Sequence, residues 1–180
     1  MVEVCPIKVR KYLSLGGPLT GESKVPFCES GVFCWVLKCI ADYIFYNPIM
    51  QRLFSISGYW RAPYRIPRMF KESEFLPLIN NQGDYYNETF RENFMNLEAA
   101  LFLYWTSDSI IKPREAGWWM QYDEHYNIVP KEETELYKKD LIGLRALEEM
   151  GRVKYVTLPG EHMDLTTEQV DDVIIPFLLA

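Results

Sequence analysis

The chain has 180 residues, of which 48% are hydrophobic and 15% aromatic. This is enough apolar material for a substantial core, so a disordered chain is excluded. The formal net charge of -6 argues against a nucleic-acid partner, because phosphate binding needs clustered Lys and Arg and the basic residues here are scattered among acidic ones. No apolar run approaches the roughly 20 residues that cross a bilayer, so we expect no transmembrane segment.

Three apolar runs predict buried strands of a parallel sheet. Each is short and continuous and ends at turn-like or loop-like sequence, as strands covered on both faces do. The runs are Val9 to Gly17, Ala100 to Asp108 and Val153 to Gly160. Residues 138–150 have apolar side chains at helical spacing with Gly151 as the C-cap. Residues 166–179 predict a last helix with Thr167 as its N-cap. Strands and helices alternate, which indicates the α/β class.

A long insertion, residues 28–96, separates the first two predicted strands. It is rich in aromatic residues, and prolines at 48, 63, 67 and 77 predict that it is broken into short helices and turns. An apolar insertion on the C-terminal side of a parallel sheet is a suitable place for a lid or an acyl-binding groove. The alternative is that the aromatic residues pack the insertion against the body, and we expect this to account for most of them.

Two features favour a protein of the secretory pathway. Cys28 and Cys34 lie close together across a turn-like segment, a spacing that suits a small disulfide loop as well as two free core thiols. The sequon Asn87-Glu88-Thr89 lies in a polar stretch and would accept a glycan in an exported chain, although such sequons also occur by chance. The first ten residues lack the apolar stretch of a signal peptide, so we expect the export signal to be absent from this chain.

The chain has only two histidines, which makes the search for a general base short. His125 lies in a polar loop and is expected to face solvent. His162 follows the third strand and a Pro-Gly turn, where a parallel-sheet hydrolase presents its base to the site. A solvent-exposed loop histidine is the other interpretation of His162.

An acid partner for His162 is expected at the end of the neighbouring strand. Asp108 follows the second strand, and the ends of neighbouring parallel strands lie close together. Taken alone, such an aspartate is more often a turn or cap residue. The pair, with acid before base, follows the chain order nucleophile, acid, base of the α/β-hydrolase triad.

No nucleophile elbow of the form G-x-S-x-G is present to complete this triad. Ser14 has the second glycine but not the first, and it falls inside a predicted strand, so we do not assign it the role. The cysteines also lack an elbow. We therefore expect the nucleophile upstream of Met1.

The sequence resembles palmitoyl-protein thioesterases, most closely the plant type, along nearly all of its length. No single motif is diagnostic, but many occur in the same order. They are Tyr12 to Gly21, Val25 to Cys28 with Cys34, Ser57 to Tyr59, Phe75 to Asn81, Asp108 to Pro113, Trp118, Leu136 and Tyr137, Asp140 to Leu144, Gly151 to Val153, and Gly160 to His162.

The resemblance implies the C-terminal portion of an α/β-hydrolase fold, so that residues 1–180 form a partial domain with the insertion inside it. It implies that Asp108 and His162 are the triad acid and base. By position it also implies a Cys28–Cys34 disulfide and glycosylation at Asn87. The insertion matches the region that forms the acyl groove. No metal or organic cofactor is implied.

The function implied is removal of long-chain fatty acyl groups from protein cysteines, with an S-acylated protein or fatty acyl thioester as the substrate. The implied location is lysosomal, vacuolar or secreted. Because the serine elbow and oxyanion hole are expected upstream of Met1, we expect the chain to be inactive alone. The alternative is a non-catalytic remnant that binds lipid or a partner.

Overall fold

The computed structural model describes Val4, residues 9–25 and residues 31–180, except the side chains of Phe33, Trp35, Lys38 and Cys39. The strands are β1 (Lys11–Leu15), β2 (Ala99–Trp105), β3 (Gln121–Tyr122), β4 (Ile128–Val129) and β5 (Val153–Leu158). Strands β1, β2 and β5 form a parallel sheet in the order β1-β2-β5, which confirms the three predicted strands and their direction. β3 and β4 form a separate antiparallel pair.

Strand β2 is the centre of this sheet because almost all of its side chains are apolar. Its alternate residues face two different cores. Ala100 and Phe102 pack with Phe94 and Trp119 on one face. On the other face are Leu101, Leu103, Trp105, Leu158 and Phe177. The sheet therefore lies between two apolar layers, as expected for an α/β domain.

The described residues between β1 and β2 form six helices. They are α1 (Val32–Phe45), α2 (Pro48–Leu53), α3 (Ser55–Gly58), α4 (Ile66–Glu72), α5 (Leu76–Ile79) and α6 (Glu88–Met95), with a 3-10 turn at Pro63–Arg65. A proline is in the first turn of α2, of the 3-10 turn, of α4 and of α5, where its missing N–H costs nothing. The prediction that these prolines break the insertion into short helices and turns is confirmed from residue 48 onward, whereas α1, before the first of them, has 14 residues.

The insertion has a small core of its own. Trp60 is 2% exposed, and its Nε1 donates a 2.8 Å hydrogen bond to Oδ1 of the buried Asp42. Tyr46 is buried beside it, and Tyr59 contacts Phe75 edge to face. Other apolar side chains of α1 to α3 point outward. They are Val32, Val36, Ile40, Tyr43, Ile44, Ile49, Leu53, Phe54 and Ile56.

Four helices follow β2, and two predictions about them need correction. They are α7 (Glu135–Lys138), α8 (Leu144–Glu149), α9 (Thr167–Gln169) and α10 (Ile175–Leu179), with 3-10 turns at Arg114–Trp118 and Lys131–Glu133 and a π turn at Val170–Ile174. A single helix over residues 138–150 is wrong. Asp140 and Gly143 have positive φ, which interrupts the helix after α7. A separate helix, α8, begins at Leu144, and Asp140 Oδ1 accepts the Arg145 N–H in its first turn at 2.9 Å.

The ends of the other predicted helices are close to expectation. Gly151 follows the end of α8 and has φ 70°, which confirms the prediction of a glycine that ends this helix. The last helix is capped one residue earlier than expected: Thr166, not Thr167, shares a capping box with Gln169. Among the described residues no helix is long and apolar enough to cross a membrane.

Candidate active site

The loops that follow β2 and β5 are joined by hydrogen bonds beyond the ends of the strands. Trp105 is paired with Leu158 in the sheet. The Thr106 N–H donates to Leu158 O at 2.9 Å, and the Ser107 N–H donates to Gly160 O at 3.0 Å. Gly160 has φ 117°, a conformation that suits glycine and turns the chain toward His162. The two loops therefore form one continuous edge.

Asp108 and His162 meet at this edge. Asp108 Oδ2 lies 2.7 Å from His162 Nδ1, and the Asp108 side chain is fully buried. The other oxygen, Oδ1, accepts the N–H groups of Ile110 and Ile111, both at 2.9 Å. An ionised carboxylate only accepts hydrogen bonds, so Nδ1 carries the proton of a neutral imidazole. Nε2 is then the basic nitrogen.

The imidazole of His162 is held on one side and open on another. Its side chain is 25% exposed, and its ring packs edge to face against Trp105 with 6.1 Å between centroids. Trp105 Nε1 donates to Asp164 O at 3.1 Å, which fixes the indole against the loop. Within the described residues Nε2 has no hydrogen-bond partner. The site therefore presents a partly exposed, oriented base.

Gly16 at the end of β1 lets the backbone approach this imidazole. Its N–H donates to Leu103 O at 2.8 Å, and its φ is 59°. A Cβ there would lie 2.9 Å from Trp105 Cζ3 and 3.4 Å from His162 Cε1. A side chain at position 16 would thus press on the indole and reach the imidazole.

Two further side chains stabilise the loop that contains Asp108, and the sequence analysis did not assign them to the site. Glu161 Oε2 accepts the Ser109 N–H at 3.0 Å, and Lys112 Nζ donates to Asp108 O at 2.8 Å. The Glu161 contact joins two segments that are 52 residues apart, and the Lys112 contact lies within the loop 108–112, so neither stands out from composition. The position of Glu161 beside His162 is the one available signal.

A buried carboxyl next to this loop was also missed. Glu22 follows β1 and is 4% exposed. Burial raises the pKa of Glu22 to about 8; the N–H groups of Lys112 and Lys24 oppose this rise, and the negative charge of Asp108 adds to it. At neutral pH the Glu22 carboxyl is therefore mostly protonated.

The other sequence candidates lie apart from this pair. Ser14 is 5% exposed and paired with Phe102 in the sheet, so it lies within a strand as expected and not on an elbow. The His125 side chain is 76% exposed, as predicted. Asn87 is exposed at the N-cap of α6, where its side chain accepts the Thr89 N–H.

The predicted disulfide is only partly within the described residues. Cys34 is disulfide-bonded. Cys28 lies outside the described residues, so the Cys28–Cys34 pairing stays a prediction. Across the described part of the chain, no group of three or more His, Cys, Asp or Glu side chains is arranged to hold a metal ion.

Comparison with known proteins identifies the family. The family model for palmitoyl protein thioesterase matches residues 1–162, which include Asp108 and His162. The chain belongs to the palmitoyl-protein thioesterase family. It is 34% identical over 159 residues to palmitoyl-protein thioesterase 3 of Dictyostelium discoideum, covering 87% of this chain and 54% of the relative.

Other relatives agree with this family. Palmitoyl-protein thioesterase 1 of Caenorhabditis elegans is 29% identical over 180 residues, covering 97% of this chain and 60% of the relative. A Drosophila melanogaster relative named lysosomal thioesterase PPT2 homolog is 29% identical over 174 residues, covering 94% and 60%. The chain thus spans a little over half the length of these palmitoyl-protein thioesterases.

Proposed function

We propose that this chain supplies the acid and base of a thioesterase that removes long-chain fatty acyl groups from protein cysteines. The observation that carries the proposal is the 2.7 Å contact between Asp108 Oδ2 and His162 Nδ1, with the carboxylate buried and Nε2 free of partners in the described residues. This is the arrangement that a general base needs, because the carboxylate fixes the tautomer and stabilises the imidazolium.

The chemistry follows the order of a covalent acyl transfer. His162 Nε2 takes the proton of a serine hydroxyl while the serine oxygen attacks the thioester carbonyl carbon. The C–S bond breaks, the imidazolium returns its proton to the departing thiolate, and an acyl-serine remains. His162 then takes a proton from water, whose oxygen attacks the ester carbonyl. The fatty acid leaves and the serine regains its proton from His162.

In this proposal the serine comes from outside the 180 residues. Ser14 is buried within β1 and paired with Phe102, so its side chain is not presented on a turn. The sequence has no G-x-S-x-G elbow. The chain then forms the acid-base part of a larger hydrolase and is inactive alone.

The insertion provides the acyl-binding surface in this proposal. A long acyl chain is bound by apolar burial, at about 0.8 kcal/mol for each methylene group removed from water. The outward-facing apolar side chains of α1 to α3 are suitable for this. The insertion also contacts the segment that follows β1, because Glu22 N–H donates to Tyr59 O and Arg61 N–H donates to Glu22 O, both at 2.8 Å.

The compartment in this proposal is lysosomal or otherwise secretory. The Drosophila relative is named a lysosomal thioesterase, which supports a lysosomal location in this proposal. The disulfide at Cys34 and the exposed sequon at Asn87 suit an oxidising, glycosylating route. The proposed substrates are S-acylated proteins.

The test is turnover of a palmitoyl thioester by two proteins. One is the 180-residue chain, and the other is this chain joined to the part of the Dictyostelium relative that it does not span. We expect turnover only in the joined protein, with a large loss on His162→Gln. Ser14→Ala is the matched control and should leave the rate unchanged.

Two results would refute the proposal. One is turnover by the 180-residue chain. The other is a joined protein that hydrolyses the thioester equally well with His162→Gln. If both proteins are silent but bind a palmitoyl ligand, the non-catalytic alternative replaces the enzyme.

A further inference from the structure

Glu22 is a buried carboxyl that the proposed acid-base chemistry does not use. Its Oε2 accepts the Lys112 N–H at 2.8 Å, and its Oε1 accepts the Lys24 N–H at 3.0 Å. Burying a carboxyl costs free energy that an apolar side chain would not. Both of its oxygens accept hydrogen bonds from backbone N–H groups, so the side chain joins the segment 22–24 to Lys112.

The loop that Glu22 contacts is the one that carries the acid. Lys112 is held at both ends of its backbone: its N–H by Glu22, and its carbonyl by the Ser23 N–H at 2.7 Å. The Lys112 side chain then returns to Asp108 O. Residues 108–112 therefore form a closed loop, fixed to β2 at its start and to residues 22 and 23 at its end.

We infer that Glu22 is a positioning residue that holds the loop 108–112 so that the Asp108 carboxylate faces His162. The position of Ile110 and Ile111, whose N–H groups bind Asp108 Oδ1, depends on where this loop ends. Without Glu22 the Lys112 N–H loses its acceptor, and of the two backbone contacts that hold Lys112 only the one with Ser23 remains. This role rests on the proposed function of the Asp108 and His162 pair.

The mostly neutral state of Glu22 suits this role. An ionised carboxylate beside Asp108 would add a second negative charge near the imidazole, whereas a protonated carboxyl holds the loop with little charge. Glutamine has the same length and is neutral, and its one amide oxygen can accept the Lys112 N–H while the Lys24 N–H loses its acceptor, so Glu22→Gln is expected to keep the contact with the loop 108–112. Glu22→Ala removes the acceptor altogether.

The experiment is NMR of the chain with 15N-labelled histidine, in which only His125 and His162 give signals. The readout is the low-field proton resonance of His162 Nδ1–H in its hydrogen bond to Asp108. The exposed His125 is the internal reference. The matched control is Asp140→Ala, because Asp140 is also buried and its Oδ1 accepts two backbone N–H groups, at Arg145 and Ala146.

We expect Glu22→Ala to lose the low-field resonance while the His125 signals and near-ultraviolet circular dichroism stay unchanged. Glu22→Gln and Asp140→Ala should keep it. If Glu22→Ala does not fold, Glu22→Asp decides, because the shorter side chain cannot reach the Lys112 N–H from the same backbone position and should lose the resonance too.

The outcomes separate the two ideas. A low-field resonance that survives in folded Glu22→Ala or Glu22→Asp, or that is lost in Asp140→Ala as well, overturns the positioning role. Absence of this resonance from the wild-type chain would overturn the Asp108 and His162 pair itself. Its persistence in the Asp108→Asn variant would do the same.

Discussion

Replacing Asp108 by Asn should reverse the tautomer of His162 without disturbing its loop. The amide oxygen is expected to stay at Oδ1, where it accepts the Ile110 and Ile111 N–H groups. The opposite orientation would place an NH2 group against those two donors. The NH2 group therefore replaces Oδ2, 2.7 Å from His162 Nδ1. The NH2 group can only donate a hydrogen bond to Nδ1, so Nδ1 must be unprotonated and the imidazole proton moves to Nε2.

A His162 that is protonated on Nε2 cannot take the proton of a nucleophile. The same substitution in serine-protease triads lowers kcat by roughly 10⁴-fold, or about 5.5 kcal/mol in activation free energy, and we expect a loss of this order. KM should change little, because the buried Asp108 side chain has no surface to offer a substrate.

The assay measures kcat and KM for a palmitoyl thioester in the joined protein described above. The 15N shifts of His162 in the 180-residue chain report the tautomer separately. Asp123→Asn is the control, since this partly exposed loop aspartate accepts the backbone N–H of His125 and lies outside the pair. A loss in kcat of less than about tenfold, which is about 1.4 kcal/mol, would refute the reasoning.

Three further predictions concern stability. Burial raises the pKa of Glu22 from 4.5 in the unfolded chain to about 8 in the folded one. As pH rises between these values, the unfolded chain loses its proton first, so the free energy of unfolding falls by at most about 1.4 kcal/mol per pH unit. Urea unfolding should show this slope in the wild type and not in Glu22→Gln. Gly16→Ala should cost about 1 to 3 kcal/mol through its positive φ and its contact with Trp105, and a wild-type urea midpoint would contradict this. Phe102→Ala should cost about 3 to 5 kcal/mol in the same assay, because the ring is fully buried; a cost below 1 kcal/mol would show that the cavity collapses.

The sheet and the pair at its edge were predictable from sequence because both depend on local signals. The apolar runs around β1, β2 and β5 mark strands buried on both faces, and parallel strands end at the same edge. Asp108 and His162 each follow such a run. Their proximity therefore needs only the strand order, which the structure confirms.

What the sequence did not reveal depends on contacts between distant segments. Glu22 is buried only because residues 59–61 and Lys112 close over it, and nothing in its neighbours along the chain marks that burial. The helix over residues 138–150 was wrong for a similar reason. Its leucine spacing is helical, but the positive φ of Asp140 and Gly143 interrupts the helix, and the Asp140 side chain accepts the Arg145 N–H in the first turn of α8.

The hydrogen bonds between the loops after β2 and β5 join Asp108 and His162, the proposed acid and base, in one preassembled unit. Thr106 and Ser107 are tied to the second loop by their backbones, and Ser109 is tied to the Glu161 side chain. These bonds restrict the movement of Asp108 relative to His162. In the proposed mechanism, the alignment that remains for each turnover is the approach of the attacking hydroxyl to Nε2.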